Sequence, residues 1–198
     1  MTLKWIVLAL AVCFQAAAQP GFKPLFDGKT LNGWSNPDMS WWKVENGAIT
    51  ASSTPERPAK KNYYLIWQGG DVGDFELKLE FRITGDETGN AGIQFRSRFN
   101  EDATHATGYQ ADIDRAGKYL GALYDEGEGR RQVFANRGER VTAGADGKIV
   151  RTRFAPDEQV RKAIQPDGWN LYHVVARGHR LLASINGQRM WDVIDNDP

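Results

Sequence analysis

The stretch DFELKLEFRIT, residues 74–84, decides the fold: Phe75, Leu77, Leu79, Phe81 and Ile83 alternate strictly with Glu76, Lys78, Glu80, Arg82 and Thr84. Successive side chains of a β-strand point to opposite faces, so this period of two predicts a strand with one face in a core and the other in water. Two neighbouring stretches carry the same alternation with richer polar chemistry. In NAGIQFRSR, residues 90–98, Ala91, Ile93 and Phe95 are expected to face the core, and Gln94, Arg96 and Arg98 to face away. In GYQADID, residues 108–114, Tyr109, Ala111 and Ile113 separate in the same way from Gln110, Asp112 and Asp114. Two carboxylates two residues apart lie roughly 6.5 to 7 Å apart on one strand face, near enough to share a sugar-sized ligand with an arginine or amide of the next strand. A solvated outer face is the common fate of such a row on an antiparallel sheet. The alternation alone leaves both readings open.

Strand signals dominate the rest of the chain. Asn46-Gly47, between WWKVE and AIT, and Asn186-Gly187, between LLASI and QRMWDV, mark hairpins, because both turn positions need positive φ. Further strands are expected at 64–67, 119–124, 151–154 and 170–177. Regular short strands between glycine-rich turns point to an all-β sandwich or barrel. One short connector helix is expected in PDEQVRKAI, with Pro156 at its first position, Asp157 and Glu158 at its positive end and Pro166 ending it. No repeat or linker splits the chain, so one domain is expected. The long polar loops 54–62 and 98–107 are placed to build the rim of a groove.

The chain begins with Lys4, an apolar run from Trp5 to Phe14, and Ala16-Ala17-Ala18 before Gln19. That run is far shorter than the roughly 20 apolar residues of a spanning helix, and an A-x-A site follows it, so residues 1–18 read as a secretory signal peptide with cleavage near Ala18. The expected address is periplasmic or secreted, with no membrane span. A lipoprotein box ending at Cys13 is the weaker alternative, since Val12 is bulky for such a site. Cleavage removes Lys4 and the sole cysteine, leaving 24 basic against 25 acidic residues, a formal net charge of −1. Such a surface lacks the basic stripe that nucleic acid or an anionic membrane requires, so no nucleic-acid partner is expected. An exported chain without cysteine must be held together by its core. Residues 19–198 are enough for one domain.

The residues also bound the chemistry. Six tryptophans outside the signal segment, Trp34, Trp41, Trp42, Trp67, Trp169 and Trp191, offer the flat apolar surfaces that cover sugar rings. Trp34, Trp42 and Trp191 are assigned to packing, whereas Trp67 and Trp169 adjoin polar turn residues and remain open as platforms. Asp112 and Asp114 suit an acid and base pair, since crowding two carboxylates raises the pKa of one. Arg96 beside Asp112 would oppose that shift and keep the carboxylate ionised, the state of a base. The string LYDEGEG places Tyr124, Asp125 and Glu126 at a strand end, a position that suits contact with a ligand and an ordinary acidic turn equally. His173 is expected to face the core with Leu171 and Val175. His105, His173 and His179 lack zinc-site spacing, and there is no G-x-S-x-G, P-loop or dinucleotide fingerprint.

Read in order, LFDGKTLNGW (25–34), WWKVENGAIT (41–50), DFELKLEFRI (74–83), NAGIQFRSR, GYQADID, GALYDEGEG (121–129), WNLYHVVARG (169–178) and LLASINGQ (181–188) resemble the 3-keto-disaccharide hydrolase domain family. The resemblance spans essentially all of the mature chain. It implies a concanavalin A or laminarinase-like jelly roll, two antiparallel sheets with a sugar groove, exported and acting on glycosidic bonds of sugars oxidised at carbon 3. On that implication Asp112 or Asp114 is the base, with Arg96 or a divalent cation holding the enolate. Gln94 and Gln110, with Trp67 and Trp169, bind the sugar, and Tyr124 or Glu126 protonates the leaving oxygen. A non-catalytic, lectin-like module on the same fold is the alternative. A conventional retaining glycosidase would need carboxyl groups about 5 to 5.5 Å apart, and relatives of that kind carry glutamates where this strand has Gln110, Asp112 and Asp114. Members usually continue through a glycine-rich turn into two more strands, so the ending WDVIDNDP reads as a C-terminally truncated sandwich with an unpaired edge.

Overall fold

The alternation at 74–84 is realised as an edge strand of a large sheet, with its apolar set turned into the core, in the computed structural model, which describes residues 21–196. The signal segment, its cleavage site and Cys13 lie outside the described residues. In chain order the strands are β1 (Trp34–Ser35), β2 (Trp42–Glu45), β3 (Ala48–Ala51), β4 (Ile66–Trp67), β5 (Phe75–Phe81), β6 (Asn90–Phe99) and β7 (Ala106–Asp114). They continue with β8 (Leu123–Glu126), β9 (Gln132–Ala135), β10 (Glu139–Ala143) and β11 (Ile149–Arg153). After the short helix α1 (Asp157–Arg161) come β12 (Asn170–Arg177), β13 (Arg180–Ile185) and β14 (Gln188–Asp195).

A six-stranded sheet, in the order β11-β10-β14-β13-β12-β5, faces a four-stranded sheet, β6-β7-β8-β9, and the pairs β1-β4 and β2-β3 complete the all-β jelly-roll sandwich. Both Asn-Gly dipeptides form the expected tight hairpins, with φ of 50° and 76° at Asn46-Gly47 and 51° and 81° at Asn186-Gly187. The large sheet is not antiparallel throughout, because β10 runs parallel to β14. The chain crosses from β9 of one sheet to β10 of the other, so no hairpin dictates direction. Gly138 makes this crossing possible: its φ is 77° and a Cβ there would lie 2.2 Å from the carbonyl oxygen of Ala155.

The core lies between the sheets. Tyr172, Val174, Ala176, Leu181, Ala183, Ile185, Trp191 and Val193 come from the large sheet, and Phe95, Ala111, Ile113, Leu123 and Phe134 from the small one. Trp191 is fully buried, as its packing assignment requires, and the indole N–H of Trp34 donates to the carbonyl of Leu25 at 2.9 Å. His173 contradicts its expected placement. Tyr172 and Val174 stand opposite Leu79 and Leu77 of β5 and take the core side, so His173 turns outward, 2.7 Å from Glu76 Oε1.

One end of the core is closed by charge. Asp125 of β8 is fully buried and accepts from Arg130 Nε at 2.6 Å and Arg131 Nε at 2.5 Å, while Arg131 also pairs with Asp195 of β14 at 2.6 Å. Tyr109 of β7 donates to Asp195 at 2.5 Å. The two sheets are thereby tied through Arg131. Removing one partner of a buried pair leaves the other uncompensated, so Asp125→Ala should lower the urea unfolding free energy by about 3–5 kcal/mol. The exposed pair Lys148–Asp146 sets the contrast: Asp146→Ala should leave the urea unfolding free energy nearly unchanged.

Candidate functional site

The face of the four-stranded sheet turned away from the core gathers most of the expected polar row. Gln94 of β6, Gln110 of β7 and Tyr124 of β8 stand in register across three strands. Asp112 lies two residues to one side of that line, opposite Gly92, and Glu126 two residues to the other, opposite Gly108. Four residues of strand separate the two carboxylates, so their Cα positions are offset by roughly 13 Å along the sheet. Hydrogen bonds bridge the gap. Gln110 Nε2 donates to Asp112 Oδ1 at 3.4 Å, Gln94 Nε2 donates to Gln110 Oε1 at 3.3 Å and also to Glu126 Oε2.

A second layer reaches this face. Tyr64, just before β4, directs its hydroxyl at both oxygens of Glu126, at 3.2 and 3.3 Å, and accepts from Asn62 Nδ2 at 3.0 Å. Burial, then the Glu126 charge, push the Tyr64 phenol up to about 12, so it keeps its proton at neutral pH. Tyr124 is raised by the same two causes and by Asp112, and it donates to Gln132. The loops expected to form a rim meet at Lys61 and Asp102, 3.4 Å apart.

Asp112 and Asp114 have different fates. Asp114 accepts from the backbone N–H of Lys118 at 2.9 Å, of Tyr119 at 2.8 Å and of Leu120, so its carboxylate closes the turn after β7. Asp112 is only 3% exposed and accepts from Ile113 N–H at 3.1 Å. Burial first, then the charge of Asp114 and the more minor effect of Glu126, raise its pKa to about 7. The structure thus holds one carboxyl near the midpoint of its titration at neutral pH, beside amides that can orient a polyhydroxylated ligand.

The match to known proteins decides which family the chain belongs to. The model of the 3-keto-alpha-glucoside-1,2-lyase-like domain matches residues 21–198. The chain is a member of that family. Among solved structures, the family member is similar to a candidate glycosyl hydrolase from Parabacteroides distasonis, with a TM-score of 0.54 and 16% identity over 86% of this chain and 71% of the other. It is also similar to the carbohydrate binding module CBM66 from Bacillus subtilis, with a TM-score of 0.48 and 16% identity over 82% and 80% of the two chains. At these identities the likeness concerns the fold. No curated protein matches the sequence.

In this 3-keto-alpha-glucoside-1,2-lyase-like domain, three of the expected site residues lie elsewhere. Arg96 is not beside Asp112. A β-bulge after Phe95 puts Arg96 at φ 48°, and its guanidinium binds Gly73 O at 3.0 Å, Gly178 O at 2.5 Å and Asp74 Oδ1 at 3.1 Å. Ser97 takes its place, donating to Gln94 Oε1 at 2.7 Å. Trp67 stands opposite Trp34 in the β1-β4 pair, and its ring covers Gly69, where a Cβ would lie 1.9 Å from Trp67 Cζ2. Trp169 adjoins β12 of the other sheet, beneath the guanidinium of Arg82 at 5.0 Å. Among the described residues no three His, Cys, Asp or Glu side chains are grouped as a metal site, and no helix is long and apolar enough to cross a membrane.

Sequence reasoning missed Tyr64, Ser97 and Gly92. A Cβ at Gly92 would fall 2.4 Å from Cδ of Gln110, so the glycine makes room for the amide that contacts Asp112. Gly92→Ala is expected to displace Gln110, raising KM for a glycoside while the circular dichroism and unfolding midpoint stay near those of the parent. A second outcome concerns the titration of Asp112. Its carboxyl ionises near 3.8 when unfolded and near 7 when folded, so the folded chain binds the extra proton between those values. Stability is therefore fully present below about pH 4 and is lost as pH rises to about 7. Asp112→Asn should remove that decline, with urea unfolding at pH 8 showing a gain on the order of 2–4 kcal/mol over the parent.

Proposed function

We propose that this domain is an exported enzyme that cleaves 3-keto-glycosides by elimination, with Asp112 as the base. The observation that carries the reading is the buried Asp112 carboxyl, poised near neutrality at the end of an amide row, in a domain of a family named for this chemistry. A ketone at carbon 3 acidifies the proton on carbon 2. Asp112 takes that proton, and the C2–H electron pair forms the C2=C3 enolate, whose oxygen the remaining amide N–H of Gln110 can hold. Collapse of the enolate restores the C3 ketone, forms a C1=C2 double bond and breaks the C1–O bond. The departing oxygen receives a proton from the Tyr64–Glu126 pair at the far end of the row, and water then adds across the new double bond. Direct displacement by two adjacent carboxylates has less support, since Asp114 is committed to backbone N–H groups.

Incubation with a 3-keto-glucoside and its unoxidised parent tests the reaction. Release from the keto sugar alone is the expected result, and binding of both without release would identify a lectin-like module instead. Asp112→Asn should reduce turnover at least 10²-fold, and Tyr64→Phe should slow it by about 10²-fold where the leaving group is a poor one. The parent kcat/KM should rise as pH increases through about 7, where Asp112 loses its proton. A pH-independent profile would remove Asp112 from the role.

A further inference from the structure

The outer face of the six-stranded sheet, on the other side of the core from the Asp112 row, carries a charge arrangement that the proposed reaction does not use. At its centre Asp192 of β14 stands between Leu182 of β13 and Arg140 of β10. Its side chain is 1% exposed because three arginines close over it. Arg180 donates from Nε at 3.1 Å and from Nη2 at 2.9 Å, Arg140 from Nε at 3.2 Å, and Arg189 Nη1 lies 3.9 Å away. One carboxylate balances one guanidinium, so a local surplus of two positive charges remains. About half of each arginine side chain faces solvent, and a guanidinium has five N–H donors, more than Asp192 engages on any of them.

Beside this triad lies a cleft of about 430 Å³, bordered by Phe154, His173, Leu182, Ser184, Gln188 and Arg189. That volume is within the range of small-molecule sites, about 300–1,000 Å³. Phe154 is 37% exposed, an aromatic surface left open at the cleft edge. The neighbouring carboxylate, Glu76, is engaged by His173 at 2.7 Å and Arg177 at 3.6 Å. An aromatic ring, a hydroxyl, a side-chain amide and a guanidinium fork in one cleft are the groups that cover and bind a sugar. The positive surplus selects an acidic one, since guanidinium and carboxylate pair through two parallel hydrogen bonds.

We propose that this cleft is a second carbohydrate site, independent of the Asp112 face, that binds a uronate-bearing oligosaccharide. It would hold the enzyme on an acidic glycan while the opposite face works on a neutral keto sugar. Calorimetric titration of the full chain with tetragalacturonate, maltotetraose and a tetraglutamate peptide tests it. Tetragalacturonate is expected to bind at least tenfold more tightly than either control. Phe154→Ala and Arg189→Gln should each weaken that binding by about tenfold without altering turnover of a 3-keto-glucoside. Asp112→Asn should bind tetragalacturonate like the parent, which separates failure of this site from failure of the proposed reaction. Equal binding of tetraglutamate would reduce the triad to a bare anion patch, and equal binding of maltotetraose would remove the role of its charge. Absent binding, or binding that survives both substitutions, overturns the proposal.

Discussion

The rest of the structure depends on Arg131, whose guanidinium spans the gap between the sheets from Asp125 to Asp195. Burial and the two carboxylates act in opposite directions on its proton, and the carboxylates prevail, raising its pKa above the ordinary arginine value. Buried charge is costly unless each partner is satisfied, and here Arg130 and the Tyr109 hydroxyl complete the set. Asp125 adjoins Glu126 on β8, so anchoring Asp125 inward obliges Glu126 to point outward. A structural ion bridge thus sets the orientation of one end of the candidate site.

The other end obeys the opposite economy. Asp112 is buried without an arginine, and its proton is retained to about pH 7 because the ionised form is poorly solvated and faces Asp114. That arrangement weakens the folded state at neutral pH and creates a group suited to proton abstraction. The amides of Gln94 and Gln110 lie between the two ends, each bound on both sides. The family is named for chemistry on a keto-glucoside, and the two faces of the sandwich divide the labour proposed for it.

Much of this was legible in the chain. The alternation of Phe75 to Ile83, the two Asn-Gly turns and the faces of Gln110 and Asp112 came from local rules, because steric preference and strand period act within a few residues. Arg96 was not legible. One extra residue in the bulge reverses the facing of the residues after it, and no local signal in QFRSR marks it. His173 was misplaced because NLYHVVAR is apolar in both phases, and only the apolar set of β5 opposite chose between them. Strands β9 and β10 escaped notice since QVFA and ERVTA are only four and five residues long, too short for their alternation to stand out.

The sequence by itself determined the all-β class, the hairpins, the family and the polar row on β7, all properties of residue type and near-neighbour spacing. Tertiary structure decided which carboxylate is free. Asp112 and Asp114 share a face and a residue type, and they differ only in what comes near: backbone N–H groups of the following turn for Asp114, a dry environment and a glutamine amide for Asp112. It also brought Tyr64 to Glu126 from 62 positions away and closed three arginines over Asp192. Proton affinity and charge surplus depend on burial and on distances between segments remote in sequence, and those exist only once the sheets have packed.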